Sequence, residues 1–156
     1  MLEHGAYLLF NINKGYVCAA GVLDNGYKFG TTPWSKIESI AVRKFGNGYG
    51  SLLMKYMVDA ADGQTIFVYA VTDRNMTTLE KSNNNETNSA HKNKGKNKTP
   101  KINMRDTFPF YNKFGFAVSK KFQEDHNQYI SPGTVPMVAR KPKLQNCLRS
   151  AVSKAY

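Results

Sequence analysis

The sequence predicts an α/β fold of the α+β kind: a mixed, mostly antiparallel sheet with helices on both faces. Three observations predict it. Two runs rich in aromatic and β-branched residues open the chain around a turn, one amphipathic helical stretch leads into a continuous apolar run, and two more strand-like segments follow near the end. No apolar run approaches the ~18–20 residues of a membrane span, and MLEHGAYLLF lacks the basic region and long apolar stretch of a signal peptide. The expectation is therefore a cytoplasmic protein with no membrane partner.

Taken in order, Tyr7 to Ile12 and Tyr16 to Leu23 read as strands, and Asn13-Lys14-Gly15 supplies the hairpin turn between them. Asp24-Asn25-Gly26 and Gly30-Thr31-Thr32-Pro33 read as loop punctuation before a strand over Ile37–Val42. A helix over 51–60 follows, with Leu52, Leu53, Tyr56, Met57 and Ala60 as its buried stripe. Gly63 is read as its end, and Thr65 to Val71 as an interior strand covered on both faces. Thr107 to Phe114 reads as a short helix with Thr107 as N-cap, Pro109 in the first turn and Gly115 after its end. Phe116 to Phe122 and Val135 to Lys141 read as closing strands, and Leu144 to Ala155 as a basic helix.

The 156 residues carry a formal charge of +11, which by itself points toward a polyanion as partner. Its distribution narrows that inference. Residues 81–101 hold six Lys against one Glu, and residues 137–156 hold five Lys and Arg with no acid, so the remaining sequence is close to neutral. Twelve of the 21 residues in 81–101 are Asn or Lys, a composition that buries too little apolar surface to offset ordering entropy and predicts an inserted mobile loop. No aromatic is interleaved there for base stacking. One reading makes it a solvated insertion; the other makes it an electrostatic arm for RNA, DNA or an acidic protein, assisted by Arg149 and Lys154. Cys18 and Cys147 have no Cys or His at metal-ligand spacing, and His4, His91 and His126 stand apart, so two reduced thiols and no metal are expected.

The chemistry concentrates at Gly46-Asn47-Gly48-Tyr49-Gly50-Ser51, between a strand and a helix. Glycines let the backbone approach an anion closely, and the first helical N–H groups together with the helix dipole favour negative charge. A tight connection with no ligand is the plain alternative. No Gly-Lys-Ser/Thr follows, which excludes a Walker loop. The preceding meander, and the lack of an acidic residue nearer than Asp73 at the end of the next strand, disfavour a dinucleotide fold.

Ile40-Ala41-Val42 followed by this glycine turn and Leu52-Leu53, and later Phe110-Tyr111-Asn112-Lys113-Phe114-Gly115-Phe116, resembles the two signatures of the GNAT superfamily of acyl-CoA-dependent N-acyltransferases, over roughly residues 16–142. The resemblance implies a GNAT-like domain over 1–142 with 81–101 inserted, followed by a basic helix or tail over 143–156. It implies acetyl-CoA as cosubstrate, its pyrophosphate on Gly46 through Ser51, its pantetheine arm along Ile40 and Val42, and Tyr111 facing the thioester sulfur. Phe45 stands where the family usually has Arg or Gln, the loop is about two residues shorter by this alignment, and Arg43 and Lys44 are candidates for the missing positive charge. The family's Asn before the second motif falls near Asn103. The usual N-terminal strand and helix pair is missing from the match, which opens the acceptor side to a macromolecule or to a wall from a second copy in a homodimer.

Acyl transfer to an amine requires a neutral nucleophile, a group that stabilises developing negative charge, and a proton for the leaving thiolate. Glu38 is the candidate base, on the premise that strand alternation places it on the face of Ile40 and Val42; a solvated carboxylate is the alternative. The Val42 N–H is a candidate oxyanion donor. Tyr111 is the candidate acid, a core aromatic among Phe108, Phe110 and Phe114 being the alternative. The expected activity is N-acetyl transfer from acetyl-CoA to a primary amine on a protein lysine, a protein N-terminus or an aminoacyl-tRNA, with a small-molecule amine as the other acceptor class. The alternative is a non-catalytic module on the same fold that binds coenzyme A or nucleic acid.

Overall fold

Strand β1 (His4–Asn11) and strand β2 (Tyr16–Phe29) form the opening hairpin; the computed structural model describes residues 4–44, 46–72, 106–126 and 131–153. Gly15, at φ 71°, closes the turn by donating its N–H to Asn11 O at 2.8 Å. Strand β3 (Thr32–Val42) follows, then helix α1 (Tyr49–Ala60) and strand β4 (Thr65–Val71). Helix α2 (Phe108–Asn112), strand β5 (Ala117–Val118), helix α3 (Lys120–His126), strand β6 (Thr134–Arg140) and helix α4 (Lys141–Ser153) complete the described elements. The six strands form one mixed sheet in the order β1-β2-β3-β4-β6-β5, with β1 at one edge. The pairs β1–β2 and β2–β3 are antiparallel, and β3–β4 is parallel. An α+β architecture is therefore present.

The chain divides into two compact units, Met1–Val68 with Val138–Tyr156 and Tyr69–Met137. In the first, α1 packs on β1, β2 and β3 and against α4. Its buried residues are Gly50, Leu53, Met54, Met57 and Val58, so the helical period is as expected but the stripe is rotated by one residue. Tyr56 is left 53% exposed. Met57 is common to the expected and observed stripes and packs over Gly21, where a β-carbon would lie 2.6 Å from Met57 Sδ. Lys141 Nζ donates to Ala61 O at 2.7 Å, placing a cation at the α1 C-terminus where the dipole favours it.

Two loop readings are corrected. Asp24-Asn25-Gly26 is a bulge within β2, where three β2 steps oppose two in β3 between the pairs Asp24↔Lys36 and Tyr27↔Trp34. Strand β2 runs on because Tyr27 and Phe29 join an aromatic cluster, with Tyr27 at 5.0 Å from Phe67 and Phe29 at 4.9 Å from Trp34. Gly63 does not end α1; Ala61 does, in an extended conformation. Gly63 instead lets two chain segments approach, its N–H donating to Ser35 Oγ at 2.9 Å while Ser35 Oγ donates to Asn25 Oδ1 at 2.6 Å.

In the second unit, the short helix α2 forms over 108–112 as anticipated, but its first turn is held by Asp106, whose Oδ1 accepts the Phe108 N–H at 3.2 Å. Thr107 holds the N-cap position as expected but makes no side-chain cap bond; it faces β4, where its N–H donates to Val71 O and its Oγ1 accepts the Val71 N–H, each at 2.8 Å. Gly115 takes the left-handed conformation after the helix, at φ 108°. The strand expected over Phe116–Phe122 stops at Val118. Ser119 Oγ accepts the Phe122 N–H at 3.1 Å, and this N-cap starts α3 where a strand had been expected. The expected loop 81–101, together with Asn103, His91 and Phe45, lies outside the described residues.

Candidate functional site

Strand β3 carries an extra residue. The pairs Leu23↔Ile37 and Val22↔Ser39 leave Glu38 without a counterpart on β2, so it forms a β-bulge. Burial records the change of phase: Ser35 and Ile37 are buried, then Glu38 and Ser39 are exposed, and Ile40 and Val42 are half-buried. The extra residue keeps Ile37, Ile40 and Val42 together on the α1 face, opposite Gly21 and Ala19 of β2, and sends Glu38 to the other face. The premise that Glu38 shares a face with Ile40 and Val42 is thus overturned. Its Oε2 lies 2.9 Å from Lys36 Nζ, so the carboxylate is committed to an ion pair.

Strand β3 pairs with β4 only from Trp34↔Thr65 to Ile37↔Val68, and the stretch Glu38–Val42 continues beyond that pairing with β2 as its partner. Over this stretch the opposite edge of β3 carries no strand pairing among the described residues. The chain then turns through Gly46 at φ 89° and Gly48 at φ 78° into α1. Such values strain any residue with a β-carbon. A β-carbon at Gly46 would meet nothing within 4 Å, so open space adjoins the turn. Gly48 is the N-cap of α1; no side chain caps this end, and no acidic residue sits in its first turn. Leu52 N–H bonds to Gly48 O at 3.0 Å, while the turn from Asn47 and Gly48 through Tyr49, Gly50 and Ser51 presents the earlier N–H groups that an α-helix cannot satisfy internally. This end suits an anion.

Arg43 does not supply the charge expected of it. Its Nε donates to Val17 O at 3.0 Å and its guanidinium lies 4.7 Å from the Tyr16 ring, which turns the side chain back along β2. Lys44 is exposed beside the turn and remains the described cation there. Ala41, paired with Ala20, is exposed. Replacing Gly48 by Ala is expected to destabilise the fold by about 1–2 kcal/mol, since an L-residue must then hold a left-handed conformation. Chemical denaturation of both proteins measures it, and a change below a few tenths of a kcal/mol would show that this turn relaxes freely.

Tyr111 is 5% exposed on α2, its ring 5.2 Å from Phe110 and 5.8 Å from Phe116. Burial pushes its phenol up to about 12. It remains protonated at neutral pH, yet handing its proton to a thiolate of ordinary basicity would be uphill by ~5 kcal/mol, which is a steeper step than for an exposed phenol. Lys113 is a residue the sequence reading passed over. Lys113 is an exposed residue whose amine is lowered from the usual lysine value by partial desolvation, and its Nζ sits 5.1 Å from the Phe110 ring and 4.8 Å from the Phe114 ring. The spacing Phe110-x-x-Lys113-Phe114, which puts all three on neighbouring turns, was its available signal.

These features define a class: an open α+β sheet in which a strand outruns its parallel neighbour and feeds a glycine turn and an uncapped helix. Comparison with models of protein families finds no match, and comparison with curated proteins finds none. Among the described residues no helix is long and apolar enough to cross a membrane, and no group of three or more His, Cys, Asp or Glu is placed to hold a metal ion. Cys18 and Cys147 are both free thiols.

Proposed function

We propose that the chain is an N-acetyltransferase of the GNAT type, moving an acetyl group from acetyl-CoA to a primary amine on a macromolecule: a protein lysine, a protein N-terminus or an aminoacyl-tRNA. One observation carries this reading, the continuity of the β3 edge over 38–42, the left-handed glycines and the start of α1. An extended pantetheine arm can add to a strand edge through main-chain hydrogen bonds, as a peptide does. Where that edge ends, uncapped N–H groups and the helix dipole favour the pyrophosphate. Ile40 and Val42 line the arm, and Gly46 through Ser51 cradle the phosphates, with Lys44 adding charge.

In the transfer, the amine nitrogen bonds to the acyl carbon, the carbon–sulfur bond breaks, the thiolate takes a proton, for which Tyr111 is the proposed donor, and the proton lost by the nitrogen passes to water, from which the phenolate is reprotonated. No base is assigned, because Glu38 is bound to Lys36 and lies on the face away from Ile40 and Val42. The same pair, together with the raised Tyr111 phenol, favours a second reading: a module that binds coenzyme A without turning it over.

Titration with acetyl-CoA in a thermal unfolding assay, followed by measurement of thiol release with peptide, RNA-linked and small amines, tests both readings. Stabilisation with thiol release supports the transferase. Stabilisation without release on any amine supports the binding module, and absence of both overturns the acyl-CoA reading.

A further inference from the structure

Among the described residues strand β1 is an edge of the sheet, and its one register shift, between Leu9 and Phe10, places the extra residue, Cys18, on β2 and leaves β1 itself regular. From Gly5 to Ile12 the sequence Gly-Ala-Tyr-Leu-Leu-Phe-Asn-Ile contains no charged residue and no proline, two of the devices that keep edge strands from pairing. Its side chains alternate between two environments. Tyr7 and Leu9 are half-buried on the α1 side, while Leu8 is 67% exposed and Phe10 54% exposed on the other, with Ile12 exposed just beyond the strand. On the α1 side, a cleft of about 650 Å³ opens at the same edge, lined by Tyr7, Leu8, Leu9, Leu53 and Tyr56 with Asp59 and Ala60. Asp59 needs no ligand there, since Lys55 Nζ and Gln145 Nε2 each donate to it at 3.1 Å.

We infer that this edge pairs with the β1 edge of a second copy of the chain, antiparallel about a two-fold axis at Leu8. The sequence is self-complementary in that register. Residue 8 meets its own counterpart, Ala6 meets the other copy's Phe10, and Tyr7 meets the other copy's Leu9. Residues directly opposite in an antiparallel pair share a face, so the apolar exposed row meets itself while Tyr7 and Leu9 of the second copy come to the cleft beside Tyr56. A register shifted by one residue would oppose the two faces and lose this match.

Area and charge agree with a second copy. Large side chains carry roughly 150–250 Å² each, so Leu8, Phe10, Ile12 and Tyr56 leave on the order of 500 Å² exposed, most of the ~800 Å² that one partner contributes to a stable interface. A polyanion would need Lys or Arg on the strand, and there is none; its one ionisable group, His4, lies at the strand's start 3.2 Å from Asp24 Oδ2, and the stretch Gly5–Ile12 carries no charge to repel a second copy. Two-fold pairing is also the commonest closed symmetry of soluble oligomers. The inference is independent of the acyl-transfer reading.

Sedimentation of the full chain across the micromolar range is expected to give the mass of a dimer. Leu8→Lys places like charges opposite each other and is expected to return the monomer mass with an unchanged circular dichroism spectrum, because Leu8 makes little of the core. Under mild oxidation Leu8→Cys is expected to link two chains on a non-reducing gel, since facing residues in such a pair stand at Cα separations a disulfide accepts. Ala6→Cys, whose equivalents lie far apart in this register, and the unsubstituted protein are expected not to link. A monomeric unsubstituted protein, a dimer that survives Leu8→Lys, or equal linkage from positions 6 and 8 would overturn the proposal.

Discussion

Tyr111→Phe is expected to lower acetyl-transfer turnover by about a hundredfold, near the lower end of what one proton donor contributes, and to leave acetyl-CoA affinity unchanged. Burial places the effect at that lower end, because a phenol at about 12 is a reluctant acid. The fold should not suffer. Phe keeps the ring that packs edge-on against Phe110 and Phe116 and changes the buried volume little.

The raised phenol also has a signed consequence for pH. The folded protein holds the Tyr111 proton at pH values where the unfolded chain, near 10, has lost it, so folding is favoured below about 10 and that contribution fades as pH rises from 10 toward about 12. Turnover should therefore show no alkaline limb from Tyr111 in the accessible range. Steady-state kinetics and phenolate absorbance on both proteins measure this. Equal turnover in the two, or a limb near 10 that disappears in Tyr111→Phe, would remove the buried-acid role.

The largest loss of stability is expected at Gly63. A β-carbon there would stand 2.6 Å from Ser35 N and 2.8 Å from both Trp34 C and Trp34 Cα, all main-chain atoms that cannot swing aside. Separation of the segments would also strain the hydrogen bonds from Gly63 N–H to Ser35 Oγ and from Ser35 Oγ to Asn25. Gly63→Ala is expected to cost ~3 kcal/mol, which for a chain of this size is a fall in Tm of roughly 6–12 °C. Gly21→Ala gives the contrast: a β-carbon there also comes within 2.6 Å, but of the flexible end of Met57. Its cost should be well below that of Gly63→Ala. Thermal unfolding of both variants decides it, and equal losses would count against a main-chain clash at Gly63.

These two residues also illustrate which parts of the fold were legible in the sequence. The continuous apolar run of Thr65–Val71 and the periodicity of α1 are local, so both elements were readable. The rotation of α1, which buries Met54 and Val58 and leaves Tyr56 exposed, is set by the strands the helix packs on, and no helical wheel contains them. Gly63 looked like a helix terminator because that role needs only the local sequence, whereas its actual task involves Trp34 and Ser35. The glycine turn was readable because left-handed residues at 46 and 48 have a compositional signature. Glu38 was misplaced because a bulge leaves none: one extra residue in β3 becomes visible only against the pairing of β2. At Ser119 the hydroxyl that caps α3 outweighed the strand-like look of Phe116 to Phe122.

The paired bonds between Thr107 and Val71 carry a further consequence, for how this chain can change over time. They fasten together Val71 and Thr107, which stand on either side of residues 73–105 in sequence, so two positions 36 residues apart are held at hydrogen-bond distance. Closure entropy grows only with the logarithm of loop length, by about 0.6 kcal/mol for each doubling. Insertions and deletions there are nearly free for the fold. A change of length between these two anchors is therefore a small term beside the packing of the sheet.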